Sequence, residues 1–506
     1  VGFLFVPNID INREEPKGAR MKDPSEASSE ASSQGLEYVV MKFGGTSVED
    51  ATAIRRLCRL VKRQSPQRPT VVVSALAKVT DQLLNAGWEA AAGLLDSARE
   101  ILQVLHQRHK TVARGLADGD ERKRLFCEFA NEFKAVDKML LVLSSEKALT
   151  PRSQDCLLGV GESLSSRLVR SALRSAGVNA ALVDARECII TDAAHTRATP
   201  LWDETNERLQ AVVIPLLESG QVPVMGGFVG ATRDGIPTTL GRGGSDFSAS
   251  IVGAGLRAQR IEIWTDVDGI MTTNPNLCPE ARRVARMSFD EAADLAYFGA
   301  KVLHPATLVP AMRGNIPVWV LNSRNPECPG TEIVAHCEQA DGVKAITAKR
   351  GVAIVDVEPV RWFAPELLRE VFEVFERHQH NLELLSASRG SLALLVSSVS
   401  GLPAIADDLK GMAKVRWEYH KALVCLVGEQ IRRRPEIASQ AFRAIADIDV
   451  RMICQGASER NIGFLVDESR AVEAVQRLHQ AFFSKSEPVV EPVASHAMCQ
   501  AEGAWQ

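Results

Sequence analysis

At 506 residues, with 45% hydrophobic and 24% charged side chains, the chain is too long for one core and has the balance of a soluble protein of several domains. A net charge of −4 leaves no basic excess for a nucleic-acid partner, and no run approaches the roughly 18 apolar residues of a membrane span. The 10 cysteines are scattered without a CxxC pair, which argues against a zinc site or disulfide framework and for a reducing, cytoplasmic setting.

Residues 1–36 mix charges with Ser, Ala, Glu and Pro, lack periodicity and read as disordered. Residues 37–43 read as a strand, followed by Gly44-Gly45-Thr46-Ser47-Val48. Ser47 is a candidate helix cap, and Ile54, Leu57, Cys58 and Val61 mark an apolar helical face. Residues 70–74 are almost wholly apolar, as buried parallel strands are. Strand, glycine turn, helix and strand make a βαβ unit. Residues 80–148 read as long helices, with Leu94, Ala98, Ile101 and Leu105 on helical spacing, and one further helix is expected over 155–176. Strands follow at 180–183 and 222–228.

The next stretch is the densest in chemistry: Thr238-Thr239-Leu240-Gly241-Arg242-Gly243-Gly244-Ser245-Asp246. Glycines let the backbone approach a ligand, Ser245 is a candidate N-cap, and a helix start attracts anions. Arg242 adds a planar fork for a carboxylate or phosphate. A small-residue helix, 247–256, follows, then a strand at 260–264 and the loop Thr265-Asp266-Val267-Asp268-Gly269. A short helix at 289–297 precedes Phe298-Gly299-Ala300-Lys301-Val302-Leu303-His304-Pro305, and residues 316–321 read as the last strand of this part. Strands and helices alternating over about 300 residues predict an α/β sandwich with a largely parallel central sheet.

Beyond about residue 340 the elements shorten and a weak repeat appears. Residues 381–385 with 391–396 form one copy and 449–454 with 461–466 the other, after amphipathic helices at 365–377 and 435–446. Each copy reads as part of a small ferredoxin-like βαββαβ unit. The divisions expected are 1–36 as an extension, 37–340 as a catalytic domain, 341–411 and 412–485 as two small modules, and 486–506 as a loose tail.

Lys42 ends a strand before two glycines, where a lysine can neutralise phosphates cradled by backbone N–H groups. No G-x-x-x-x-G-K-[ST] stretch occurs, so this is not a Walker P-loop. Glu162 stands among Gly159, Gly161, Ser163 and Ser165, which leave room for an amino group beside its carboxylate. Thr265 and Asp266 lie at the carboxyl end of a strand, where open α/β sheets bind ligands. Lys301 and His304 can equally be loop and capping residues. No His/Cys cluster has metal spacing, so no protein-held metal is expected and any metal is magnesium arriving with a nucleotide.

Taken together, four stretches in order resemble the aspartate kinases of the amino-acid kinase superfamily: Lys42 to Val48, Thr238 to Asp246, Trp264 to Gly269 and Phe298 to Pro305. The resemblance spans about residues 37–485, and the repeat looks like the tandem ACT modules of that family, in which one module is inserted into the other. With no dehydrogenase region following, it is nearest the monofunctional lysine-sensitive branch. It implies an amino-acid kinase-like αβα sandwich followed by two ACT modules, and transfer from ATP to the side-chain carboxylate of L-aspartate, the first step towards lysine, threonine, methionine and isoleucine. It further implies that Arg242 clamps the α-carboxylate with Ser245 and Thr239 beside it, and that Glu162 holds the ammonium. Thr80 and Phe228 would line the same pocket. Lys42, oriented by Asp246, would act with Gly44 and Gly45 on the transferred phosphoryl. Thr265, Asp266, Met271 and Lys301 would face the nucleotide, although Met271, Asn274 and Asn276 depart from the family's usual aromatic, acidic and basic residues.

For the regulatory part the resemblance implies a feedback amino acid, lysine first and threonine as the alternative. The pocket would be formed by Arg361, Phe363, Leu367, Asn381, Leu382, Glu383 and Ser388. Arg361 and Arg389 add cations there and should weaken lysine. Open edges of ACT-like sheets imply a homo-oligomer. Two other readings share these features: an amino-acid sensor with an inactive kinase domain, and another kinase of the superfamily. The presence together of Lys42, Arg242, Asp246, Asp266 and Lys301 favours the active enzyme.

Overall fold

The computed structural model describes residues 37–300, 303, 305–337, 342–360 and 365–484. The expected disordered extension, the C-terminal tail, Lys301, His304, Arg361 and Phe363 lie outside the described residues. In chain order the strands are β1 (Val39–Phe43), β2 (Pro69–Val73), β3 (Ala180–Val183), β4 (Val222–Gly226), β5 (Val229–Ala231), β6 (Pro237–Thr239), β7 (Arg260–Thr265), β8 (Arg286–Ser288), β9 (Val318–Asn322) and β10 (Thr331–Val334). Then come β11 (Gly342–Pro359), β12 (Leu382–Ala387), β13 (Leu392–Val396), β14 (Ala413–Glu429), β15 (Val450–Gln455) and β16 (Asn461–Asp467).

Eight strands make one sheet in the order β3-β4-β2-β1-β7-β9-β10-β8. Parallel pairing runs from β3 through to β9, and only the β9–β10 pair is antiparallel. The largely parallel sheet read from the alternation of elements is therefore present. All five residues of β1 are buried, and its side chains alternate between two cores. Val39, Met41 and Phe43 pack with the helices Ala51–Arg63, Val79–Ala91 and Leu95–Leu116. Val40 joins the opposite core with the helices Trp202–Glu218 and Gly244–Leu256. The same alternation turns Lys42 towards the face of the Gly244–Leu256 helix, which brings Asp246.

Several sequence expectations are corrected. Ser47 does not cap the first helix: its buried hydroxyl meets Trp264 O and Ser323 Oγ, and Asp50 is the cap, accepting from Ala53 N at 2.8 Å. Ser245 is not an N-cap either. Gly243 holds that position at φ +71, a left-handed conformation that favours glycine. The expected helix over 155–176 is two helices, Pro151–Leu158 and Val160–Ser175. At the joint, a Cβ on Gly159 would come within 2.9 Å of Val229 Cγ1. The strand read over 222–228 stops at Gly226, and the strand read over 316–321 is not the last of this part, since β10 follows it.

The second sheet is antiparallel and six-stranded, in the order β12-β13-β11-β14-β16-β15. β11 and β14 pair along almost their whole lengths, from Gly342 opposite Glu429 to Pro359 opposite Ala413. Two small cores share this long pair. Val355 and Val357 pack with Val371, Phe375, Leu394 and Ile405; Ile346 packs with Val424, Ile437, Phe464 and Val475. The N-terminal half of β11 thus joins the later core, and described residues between Ala353 and Trp417 supply the earlier one.

The second sheet also closes a core of the first part. Ala345, Val352, Ile354, Leu423 and Val427 belong to the same cluster as Phe289, Leu295 and Phe298. Polar contacts cross the boundary: Lys344 Nζ to Glu291 Oε2 at 2.9 Å, Asn461 Nδ2 to Asp294 Oδ2 at 2.8 Å, and Thr272 Oγ1 to His479 Nε2 at 2.9 Å. Each large apolar side chain in that interface contributes roughly 1.5–3 kcal/mol through burial. A chain truncated after residue 337 is therefore expected to be insoluble or to lose its cooperative thermal transition. A soluble truncated protein melting at the full-length temperature would contradict this.

Candidate active site

A cleft of about 390 Å³ opens at the carboxyl ends of the central strands. This is where parallel sheets leave room for ligands, because successive connections depart to opposite faces. Lys42 comes from the end of β1, and Ser74, Ala75, Lys78, Thr80 and Asp81 from the segment after β2. Glu162 comes from the first turn of its helix, Arg242 from the loop after β6, and Ser245 and Asp246 from the first turn of the Gly244–Leu256 helix.

Lys42 Nζ lies 2.6 Å from Asp246 Oδ1, and both are largely buried. Such a pair holds the ammonium in one place, since removing either member would strand the other charge. The following turn is tight. Gly44 N donates to Trp264 O at 3.1 Å, and a Cβ on Gly45 would come 3.1 Å from Ala75 O. Phe43 stacks on Trp264 with ring centroids 6.1 Å apart, which fixes the end of β1 against β7.

Glu162 is 3% exposed. One carboxylate oxygen accepts from Ala75 N at 3.1 Å, while Oε2 has no hydrogen-bond partner among the described residues. Burial pushes its pKa from an ordinary 4.5 up to about 7, against the lowering effects of the Ala75 N–H and the Lys42 charge. A buried acceptor with a free oxygen and a raised pKa is poised for a cationic donor, which would restore the lost solvation.

Arg242 stands exposed in the loop at 241–244, with no ion pair among the described residues. The loop's shape depends on Gly241 and Gly243, at φ +78 and +71. Phe228 lines the cleft at φ +68, costing about 1–2 kcal/mol for a side-chain-bearing residue. The conformation is held from several sides. Phe228 N donates to Ser248 Oγ at 2.8 Å, its carbonyl accepts from Leu240 N at 2.9 Å, and its ring packs against both large cores.

The structure thus brings together Lys42, Gly45, Thr80, Glu162, Phe228, Arg242, Ser245 and Asp246. Thr239, expected beside the substrate, does not line the cleft. It is 1% exposed and its hydroxyl donates to Asp155 Oδ1 at 2.5 Å. Thr265 and Asp266 lie at the end of β7, next to the Gly44 turn through Trp264, and Met271 is half-buried in a bridge with Arg283. Ser74, Lys78 and Asp81 were missed; the rule that picked out the residue after β1 applies equally after β2. Among the described residues no cluster of three or more His, Cys, Asp or Glu has the form of a metal site, and no helix is long and apolar enough to cross a membrane.

Of the residues read as an effector pocket, Leu367 is buried in the earlier small core and Leu382 packs at its edge. Glu383 pairs with Lys349 Nζ at 2.6 Å, and its carbonyl accepts from Tyr297 Oη at 2.7 Å. Asn381 is exposed at the start of β12, and Ser388 closes the β12–β13 turn with Ser391.

A family model described as the amino acid kinase family matches residues 37–322, and one described as an ACT domain matches residues 424–482. Aspartokinase 2, chloroplastic, of Arabidopsis thaliana is 34% identical over 481 residues, covering 91% of this chain and 87% of its own length. The E. coli aspartokinase III structure in complex with aspartate and ADP superimposes with a TM-score of 0.77 at 33% identity, over 88% of this chain and 100% of that one. The same enzyme in complex with lysine and aspartate gives a TM-score of 0.76 at 33% identity, covering 88% and 99% of the two chains.

Proposed function

Because the chain belongs to the aspartokinases of the amino acid kinase family, we infer that it transfers the γ-phosphoryl group of ATP to the side-chain carboxylate of L-aspartate under ACT-domain control. The observation that carries the substrate assignment is the buried, half-satisfied Glu162 carboxylate sharing one cleft with an Arg242 that is exposed and has no ion pair among the described residues, and with the Lys42–Asp246 pair. An acidic amino acid offers an ammonium for the first, an α-carboxylate for the second, and a reacting carboxylate for the third.

In this reading Glu162 accepts from the α-ammonium and Arg242 grips the α-carboxylate with its two-pronged fork. Thr80, Phe228 and Ser245 complete the pocket wall. The side-chain carboxylate is left facing Lys42. One of its oxygens forms the new P–O bond as the bond from the γ-phosphorus to the bridging oxygen of ADP breaks. The nucleophile is already ionised, so no general base is needed, and the protein acts by alignment and charge stabilisation. Lys42 meets the charge gathering on the transferred group, with the Gly44 and Gly45 turn allowing close approach. Thr265, Asp266 and Met271, with Lys301, form the nucleotide side. Magnesium would arrive with ATP, as its preference for water and phosphate ligands predicts, and would supply charge neutralisation on the phosphates. The described cysteines are free, in keeping with a reducing cytoplasm.

The ACT part carries the feedback site, with lysine the first candidate and threonine the alternative. Its support is Glu383, whose carboxylate pairs with Lys349 of β11 and whose carbonyl accepts from Tyr297 of the catalytic part. A ligand ammonium competing for the Glu383 carboxylate would release Lys349, which lies over the Tyr297 ring at the end of the Phe289–Tyr297 helix. Self-association through the ACT sheet is supported by its unpaired edge strands, β12 and β15, which expose Leu385 and Ile453.

A hydroxamate assay with ATP, magnesium and a panel of acidic amino acids tests the activity. Aspartate should be the acceptor, and turnover with glutamate alone would sink the assignment. Acidity supplies a second test. With a pKa near 7 in the free protein, Glu162 must lose its proton to hold an ammonium. kcat/KM for aspartate should therefore rise with pH to a plateau above about 7, and Glu162→Gln should flatten that limb while lowering kcat/KM. The same raised pKa favours the neutral form in the fold. Its stabilising contribution is full below 4.5 and is lost as pH rises through about 7. An unchanged acid limb in Glu162→Gln would assign it to another group.

A further inference from the structure

Behind the cleft lies a buried carboxylate that the mechanism above does not use. Asp155, on the Pro151–Leu158 helix, has a fully buried side chain. A carboxylate there is costly unless its lone pairs are filled. They are filled by Thr239 Oγ1 at 2.5 Å, His195 Nδ1 at 2.7 Å, and Thr196 N at 3.0 and 3.1 Å from the two oxygens. No lysine or arginine pairs with it among the described residues.

These donors belong to the segment that supports the Arg242 loop. Thr239 ends β6, immediately before that loop, and its carbonyl accepts from Ala198 N at 2.9 Å. Gly241 presses on the same segment, since a Cβ there would come 3.2 Å from Thr196 O. Thr196 itself is held at φ +69, a conformation uncommon outside glycine that persists only where surrounding contacts enforce it. On the other side, Asp155 O accepts from Gly159 N, and Gly159 O from Ser163 N, across the joint to the helix bearing Glu162. Asp155, His195 and Thr239 do not line the cleft.

We propose that Asp155 is a positioning residue that sets the distance between the Arg242 loop and Glu162, and so the fit of the amino-acid substrate, through Thr239, Thr196 and His195. This rests on the reading of the cleft as the aspartate site. One buried carboxylate joins the element that would grip the α-carboxylate to the element that would grip the ammonium. Weakening it should loosen the aspartate pocket and leave the nucleotide side, built on β7, unaffected.

Steady-state kinetics of the full-length chain and three variants test this, with a urea unfolding midpoint for each. Thr239→Val keeps the shape and removes the donor, Thr239→Ser keeps the donor, and Asp155→Asn removes the charge. The aspartate KM should rise about tenfold or more in Thr239→Val and Asp155→Asn, with the ATP KM within about twofold of wild type. Thr239→Ser should stay within about twofold on both. If Asp155→Asn does not fold, the Thr239 pair decides. An unchanged aspartate KM in Thr239→Val, or parallel changes in both KM values, kcat and the urea midpoint, would overturn the proposal and leave a merely structural role. A wild type without aspartate-dependent turnover would instead overturn the cleft reading on which it rests.

Discussion

Replacing Lys42 with alanine is expected to lower kcat by about a hundredfold to a thousandfold, with a much smaller change in aspartate KM. The side chain is 10% exposed and held 2.6 Å from Asp246 Oδ1, so its charge is fixed before the reaction begins. A charge already in place costs no reorganisation as negative charge shifts onto the transferred group, and its effect concentrates in the transition state. Lys42 also lowers the Glu162 pKa. Its loss should therefore move the acid limb of aspartate binding upward, and the comparison belongs well above pH 7. Rapid-quench single-turnover measurements would separate the chemical step from product release. A variant retaining the wild-type single-turnover rate would remove Lys42 from phosphoryl transfer.

Arg242→Lys should raise aspartate KM by about tenfold to a hundredfold although the charge is retained. The loop that carries Arg242 is shaped by Gly241 and Gly243 in left-handed conformations and anchored by Leu240 N on Phe228 O. That backbone presents one fixed origin for the side chain. A guanidinium can meet both oxygens of a carboxylate from there, and an ammonium is a single point donor. The ATP KM should scarcely move. Equal shifts in both constants would indicate a collapsed loop, and unchanged constants would remove the clamp.

The parts legible in the sequence share a physical feature: their signal is local. Lys42 before Gly44-Gly45, the 238–246 motif and the largely apolar β1 and β2 each carry their reading within a few residues. What was not legible depends on partners far along the chain. The break at Gly159 answers to Val229, and a single glycine in an otherwise helical pattern does not disclose such a neighbour. Thr239 reads as a pocket residue until Asp155, 84 positions away, takes its hydroxyl. Ser245 looks like a cap because Ser is a good one, but the φ +71 at Gly243 moves the helix start two residues earlier. β8 and β10 have only three and four residues, too few to show a period. The repeat was visible as two sets of short strands. The joining of both sets by one 18-residue strand and one 17-residue strand was not, because hydrophobic alternation does not report which core a strand faces.

The most direct test of the central claim is a crystal structure of the full chain with L-aspartate and a non-hydrolysable ATP analogue. The predicted result has the α-ammonium on Glu162, the α-carboxylate on Arg242 and the side-chain carboxylate beside Lys42, facing the γ-phosphoryl. Aspartate bound with its α-carboxylate at Lys42, or outside the cleft that Glu162 and Arg242 share, would contradict it.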